Sequence, residues 1–152
     1  DYNELLNVYN NIIYYEKDSH EVLMAYLRKG RALHRYFSRP EKAFEHYERC
    51  LTIVPGHAEA LAAIGHISAV LGNYEQAREY VDTVESAIDV DLAIKVSLAL
   101  VRGACMVATD DTASAVAVLA TLNDKALLSR LKGVENAETW LLEAEKMLFA
   151  ED

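Results

Sequence analysis

The chain has 152 residues, 52% of them hydrophobic and 26% charged, with a formal net charge of −9. That supplies enough apolar side chain for one domain with its own core, and the acidic balance argues against nucleic acid, whose phosphates call for clustered lysine and arginine. Only two prolines and six glycines punctuate the chain, and no Val/Ile/Thr-rich run alternates strictly, so long helices with short connections are expected and no sheet.

In chain order, Asp1 to Leu5 reads as the opening of a helix whose inner face carries Leu5, Tyr9 and Ile12. The offsets of four and then three keep such a set on one helical face. Tyr14 and Tyr15 are adjacent and point to different sides, so at least one is expected at a surface. A second helix runs through Gly30 and carries the one basic stretch, Arg28-Lys29, Arg31, His34-Arg35 and Arg39. Those charges spread around the helix, as a solvated face or as a local site for acidic residues.

Pro40 opens the next helix, with Ala43, Tyr47 and Cys50 on its inner face, and Pro55-Gly56 closes the unit. The pattern then repeats with Ala58, Leu61, Ile64 and Gly65, the turn Leu71-Gly72-Asn73-Tyr74, and Ala77, Val81 and Val84. Gly72 reads as the left-handed residue that ends one helix and Asn73 as the side-chain cap of the next. A third, degenerate copy keeps Gly103, Ala115, Leu119 and Leu122 without a closing proline. Its first helix is apolar nearly all round from Ile94 to Val107 and must be covered on more than one side. Residues 92–108 still fall short of a membrane span, because Lys95 and Arg102 interrupt them. After a break near Gly133, Asn136 caps a last helix with Trp140, Leu141, Ala144, Met147 and Leu148 on one face.

Ala43, Ala77 and Ala115, with Leu5 in the same place at the amino end, are spaced by 38, 34 and 38 residues. Each marks a point where two helices cross closely, and Gly30, Gly65 and Gly103, twelve or thirteen residues earlier, let the paired helix approach. Helical hairpins repeating at this period resemble the tetratricopeptide repeat.

The resemblance implies an all-α, right-handed α-solenoid of antiparallel helix pairs, with about seven or eight helices and no sheet, in a single domain over 1–152. Residues 1–17 would be the second helix of an incomplete repeat or a cap, 18–56 repeat one, 57–91 repeat two, 92–123 the degenerate repeat three, and 124–152 the C-terminal capping helices. The helical start at Asp1 implies a piece of a longer array or protein.

The family binds partners on the concave wall made by the first helix of each unit. Around Gly30 that wall is Met24, Leu27, Arg31 and His34; around Gly65 it is Glu59, Ala62, His66 and Ala69; around Gly103 it is Ser97, Leu100, Ala104 and Val107. Repeats of this family that hold the acidic tails of heat-shock chaperones carry lysine, asparagine and arginine there. In this chain His66 stands in the asparagine position and the third unit offers no basic residue. A mostly apolar groove suits an amphipathic helix or extended apolar segment of another protein. The function expected is therefore a protein-binding module of scaffold, adaptor or co-chaperone type. Self-assembly through open ends at Tyr2–Ile13 and Trp140–Phe149 is the alternative. The C-terminal helix can serve as the cap a solenoid end needs, or occupy the groove itself.

The remaining chemistry is sparse. Cys50 and Cys105 form no Cys-x-x-Cys pair and read as reduced core thiols. His20, His34, His46, His57 and His66 contain no pair at helical spacing, so they read as scattered surface histidines and not as metal ligands. Tyr9, Tyr26, Tyr36, Tyr47, Tyr74 and Tyr80 stand where packing between helices is expected. No nucleophile elbow, phosphate loop or dinucleotide fingerprint is present, and carboxylates such as Glu41, Glu45 and Glu48 lie on polar faces. No catalytic residue, cofactor, nucleic-acid contact or membrane insertion is expected. Nothing reads as a signal peptide, which points to a cytosolic or nuclear setting.

Overall fold

A computed structural model describes residues 2–84 and 90–150 of the chain. Asp1, the end of the expected second repeat at 85–89 and the last two residues lie outside the described residues. Among the described residues there are nine α-helices and no strand: α1 Tyr2–Tyr15, α2 Ser19–Arg35, α3 Pro40–Ile53, α4 Ala58–Val70, α5 Tyr74–Asp82, α6 Leu92–Ala108, α7 Thr112–Ala120, α8 Lys125–Leu131 and α9 Ala137–Leu148. The count is nine where seven or eight were expected, made up of α1, three hairpins and two C-terminal helices, of which α8, at seven residues, is too short to show a 3.6-residue period in the sequence.

Local chemistry sets the ends. Asp18 accepts hydrogen bonds from the backbone N–H groups of His20 and Glu21 at the start of α2, and Pro40 opens α3, where its missing N–H is not needed. Asp111, Asp124 and Asn136 cap α7, α8 and α9 through their side chains. Asn73, expected to do the same for α5, makes no side-chain cap bond. Its backbone N–H instead donates to Ser68 O at 2.8 Å while Gly72, at φ +87°, donates to Ala69 O. This pair of bonds closes the end of α4. Asp110, at φ +62°, occupies the equivalent place after α6, with Asp111 N–H bonded to Met106 O. After α2 the left-handed residue is Ser38, and Arg39 N–H reaches back to Leu33 O, one residue further than in the other two turns.

Successive helices pack as hairpins, α2 on α3, α4 on α5 and α6 on α7, and each hairpin packs on the next through α3 and α4 and through α5 and α6. Ala43, Ala77 and Ala115 are fully buried at these crossings. The glycines explain two of the close approaches directly. A Cβ on Gly30 would lie 3.0 Å from the Tyr47 ring of α3, and one on Gly65 would lie 2.8 Å from Val81 of α5. Gly103 behaves differently: the group against it is Trp140 of α9, not a residue of its partner α7.

α4 is the centre of the molecule. Every residue from Ala60 to Ala69 is buried, with α3, α5, α6 and α9 packed around it. The sequence Ala-Leu-Ala-Ala-Ile-Gly-His-Ile-Ser-Ala leaves no polar face, as a helix enclosed on all sides requires. α1 sits at the opposite extreme. It packs only on α2 among the described helices with substantial contact, and none of its residues is buried. Of the tyrosines expected to pack, Tyr47 is fully buried and Tyr9, Tyr26, Tyr74 and Tyr80 are half-buried. Tyr36 is exposed, although its ring stacks on Tyr2 at 4.1 Å between centroids. Both Tyr14 and Tyr15 are exposed.

Candidate functional site

The first helices of the three hairpins, α2, α4 and α6, form the side of the molecule on which the expected groove residues lie, and α9 lies against α6 and α4 on that side. Leu27, Ala62, His66, Ala69, Ser97, Leu100, Ala104 and Val107 are buried, Met24 and His34 are half-buried, and Arg31 and Glu59 keep about a third of their side chains exposed. The ends at Trp140–Phe149 are not open, because Trp140, Leu141, Ala144, Leu148 and Phe149 are all buried within the same chain.

α9 is held by three anchors. Trp140 has no exposed surface, its six-membered ring rests on Gly103, and its indole N–H donates to Val134 O at 3.0 Å, so the polar atom of a buried aromatic is satisfied within the preceding loop. In the middle of the helix, Leu141 O accepts from His66 Nε2 at 3.1 Å. At the far end the Phe149 ring meets His34 edge-on at 4.8 Å and is flanked by the guanidinium groups of Arg31 and Arg35 at 5.6 and 5.9 Å. Cations over an aromatic face add attraction beyond the apolar contact.

Behind α9 the two imidazoles are joined. His34 Nε2 lies 3.0 Å from His66 Nδ1, and His34 Nδ1 lies 3.2 Å from the Tyr47 hydroxyl. A carbonyl only accepts, so His66 must carry its hydrogen on Nε2 and accept at Nδ1. His34 then donates from Nε2 and accepts the Tyr47 O–H at Nδ1. One directed chain, Tyr47 to His34 to His66 to Leu141, thus links α3, α2, α4 and α9 with both rings neutral. Burial pushes His34 down to about 3, helped by the neighbouring His66, and pushes His66 down to about 4 against the opposing effect of the Leu141 carbonyl. Burial also raises the Tyr47 hydroxyl well above its ordinary value.

These two histidines are not the scattered surface residues the sequence implied. The signal was present in the glycine offsets: His34 stands four after Gly30 and His66 one after Gly65, one helical turn apart on neighbouring helices of the same wall. Spacing along one helix carries no trace of a pair formed between two helices. Among the described residues no three His, Cys, Asp or Glu side chains converge as a metal site. Cys50 and Cys105 are free and buried, and Cys50 Sγ donates to Leu23 O at 3.6 Å.

At the Phe149 end of α9 a cleft of about 450 Å³ opens between Arg31, Glu59, Ile94, Met147 and Leu148. Arg31 and Glu59 form an ion pair at 3.3 Å across its floor, bridging α2 and α4. The basic stretch of α2 is therefore divided in use: Arg31 lies over Phe149 and pairs with Glu59, Arg35 lies between the rings of Tyr36 and Phe149 at 5.0 and 5.9 Å, and Lys29 lines a separate cleft under α1 beside Arg39 and Lys42. No described helix is long and apolar enough to cross a membrane.

Comparison with protein families gives a match to the tetratricopeptide repeat over residues 37–95, from the turn after α2 to the start of α6. No curated protein and no solved structure matches the chain.

Proposed function

We propose, from the premise that residues 37–95 belong to the tetratricopeptide repeat family, that the chain is a protein-interaction module whose α2, α4 and α6 wall receives an amphipathic helix. Repeats of this family generally mediate contacts between proteins and are generally not catalytic, which favours a scaffold or adaptor role built on a right-handed solenoid. The observation that carries the reading is α9 itself. It is an amphipathic helix seated on that wall by an aromatic anchor, a hydrogen-bonded carbonyl and a second aromatic under two arginines. Helix-in-groove recognition uses the same elements. In this reading α9 is the resident occupant, and a partner helix with a similar face competes with it for Gly103, His66 and Arg31.

A labelled synthetic peptide covering residues 136–150 tests the reading on the full chain. Trp140→Ala loosens the resident helix without altering the wall, so this variant should bind the peptide more tightly than the unmodified chain. Failure of a folded Trp140→Ala chain to bind would leave the wall as a packing face and refute the proposal.

A second reading, self-assembly, is favoured by α1. It exposes Val8 at 52%, Tyr14 at 81% and Tyr15 at 74%, and α2 is the one described helix on which it packs extensively. Sedimentation over a range of concentrations, with Val8→Lys and Tyr15→Lys beside the unmodified chain, tests it. A mass that stays monomeric throughout would reject assembly through α1.

A further inference from the structure

We propose that the helix-binding wall is emptied by acid: protonation of His34 and His66 releases α9 and any helix that docks through the same contacts. The proposal rests on the reading that the wall is a helix-binding site, and it deepens that reading by naming its regulation.

Each added proton costs a hydrogen bond of the directed chain. A proton arriving on His66 can only take Nδ1, which already accepts from His34 Nε2 at 3.0 Å. His34 can yield by shifting its own hydrogen to Nδ1, but Tyr47, fully buried, then loses the acceptor for its hydroxyl. A second proton sets two N–H groups against each other across the same 3.0 Å. Two buried donors without an acceptor cost more than the bond between the rings supplied.

Of the described groups around the two rings, the Leu141 carbonyl favours the charged form of His66, and the rest give it no support. On α2 the charges facing the rings are Arg31 and Arg35, both cations against Phe149. On α3 the titratable neighbour is the Tyr47 hydroxyl. The carboxylate of α4, Glu59, is engaged by Arg31. α9 presents the Leu141 carbonyl and the Phe149 ring, while its Glu143 is held by Arg130 and Lys146. On α6, Arg102 turns to Asp82 of α5. Among the described residues neither ring forms an ion pair with a carboxylate.

Release of α9 gives both rings access to water, where imidazole titrates near its ordinary value of about 6.5. The open form therefore takes up protons from about pH 6.5 downward, while the closed form stays neutral until far lower. The sign follows: α9 docking is full above about pH 6.5 and is lost as pH falls below it. Two rings each contribute up to about tenfold per pH unit, so the docked-to-open ratio falls about 100-fold between pH 7.5 and 5.5.

The test uses the full chain and the labelled 136–150 peptide. The peptide docks through the same Leu141 and Phe149 contacts as α9, so polarisation titrations of the folded Trp140→Ala chain at pH 7.5 and 5.5 should show its binding weakened by one to two orders of magnitude in acid. Emission of Trp140, the one tryptophan, should shift to the red over the same range while most of the helical circular dichroism is retained. In His34→Gln/His66→Gln the amides can still donate and accept but do not titrate there, and both responses should vanish. If the peptide binds equally at the two pH values, the switch is refuted and the wall reading stands. If helicity collapses together with the tryptophan shift, acid unfolds the chain and does not release α9, which also overturns the switch. Should the double variant not fold, the pH titrations of the unmodified and Trp140→Ala chains still decide between these outcomes. Absence of binding at both pH values in the folded Trp140→Ala chain refutes the wall reading instead.

Discussion

The ring of Trp140 rests on Gly103, at the one point along the middle of α6 where there is no side chain to hold it away. A Cβ at 103 would strike the Trp140 six-membered ring, and because that ring is fully buried it has nowhere to yield. Gly103→Ala is therefore expected to destabilise the chain by about 1–3 kcal/mol, the usual size of an overpacking penalty. Gly56→Ala is the control, since nothing lies within 4 Å of a Cβ there, and it should change stability by less than about 0.5 kcal/mol. Urea unfolding of both variants checks the pair.

The caps offer a second contrast. Asp18 accepts two backbone N–H groups at 2.9 and 3.2 Å, so Asp18→Ala should cost about 1 kcal/mol. Asn73 occupies the same formal position before α5 but makes no such bond, and Asn73→Ala should cost clearly less. Equal losses in thermal melts of the two variants would contradict the structure.

Both thiols should be silent in the folded chain. Burial pushes Cys50 up to about 12 and Cys105 up to about 11, so almost no thiolate exists near neutral pH. A disulfide reagent at pH 8 is expected to label neither until denaturant is added, and then both. Rapid labelling of one thiol in native buffer would show that its helix opens locally.

Ala77 has no exposed surface, and its carbonyl lies 3.5 Å from where a Gly65 Cβ would be. Ala77→Trp forces α4 and α5 apart and should cost at least about 1–3 kcal/mol, enough to threaten folding. A melting temperature unchanged from the parent would show that the crossing lies elsewhere.

Much of this architecture could be read from spacing. Ala43, Ala77 and Ala115 are where the period put them, and Gly72, Pro40 and Asn136 mark the ends they were expected to mark. The limits of the reading were physical. Gly103 signalled a close approach correctly, but a glycine states only that something comes near; it does not say whether the neighbour is the adjacent α7 or α9, more than thirty residues on. The histidine pair failed for a related reason, since spacing along one helix does not register contacts between two. Asn73 misled because its position is shared by two devices, a side-chain cap for the helix ahead and a backbone closure for the helix behind, and the second prevails here.

The contrast between α4, buried along ten consecutive residues, and α1, with none, has a consequence for how the chain opens. Amide hydrogens of α1 are expected to exchange with solvent by local fraying, at rates that ignore denaturant. Those of α4 cannot be reached without dismantling the helices on every side, so their exchange reports the free energy of unfolding the whole chain. The molecule thus carries its own internal scale, with only α2 and α3 between the least and the most protected backbone.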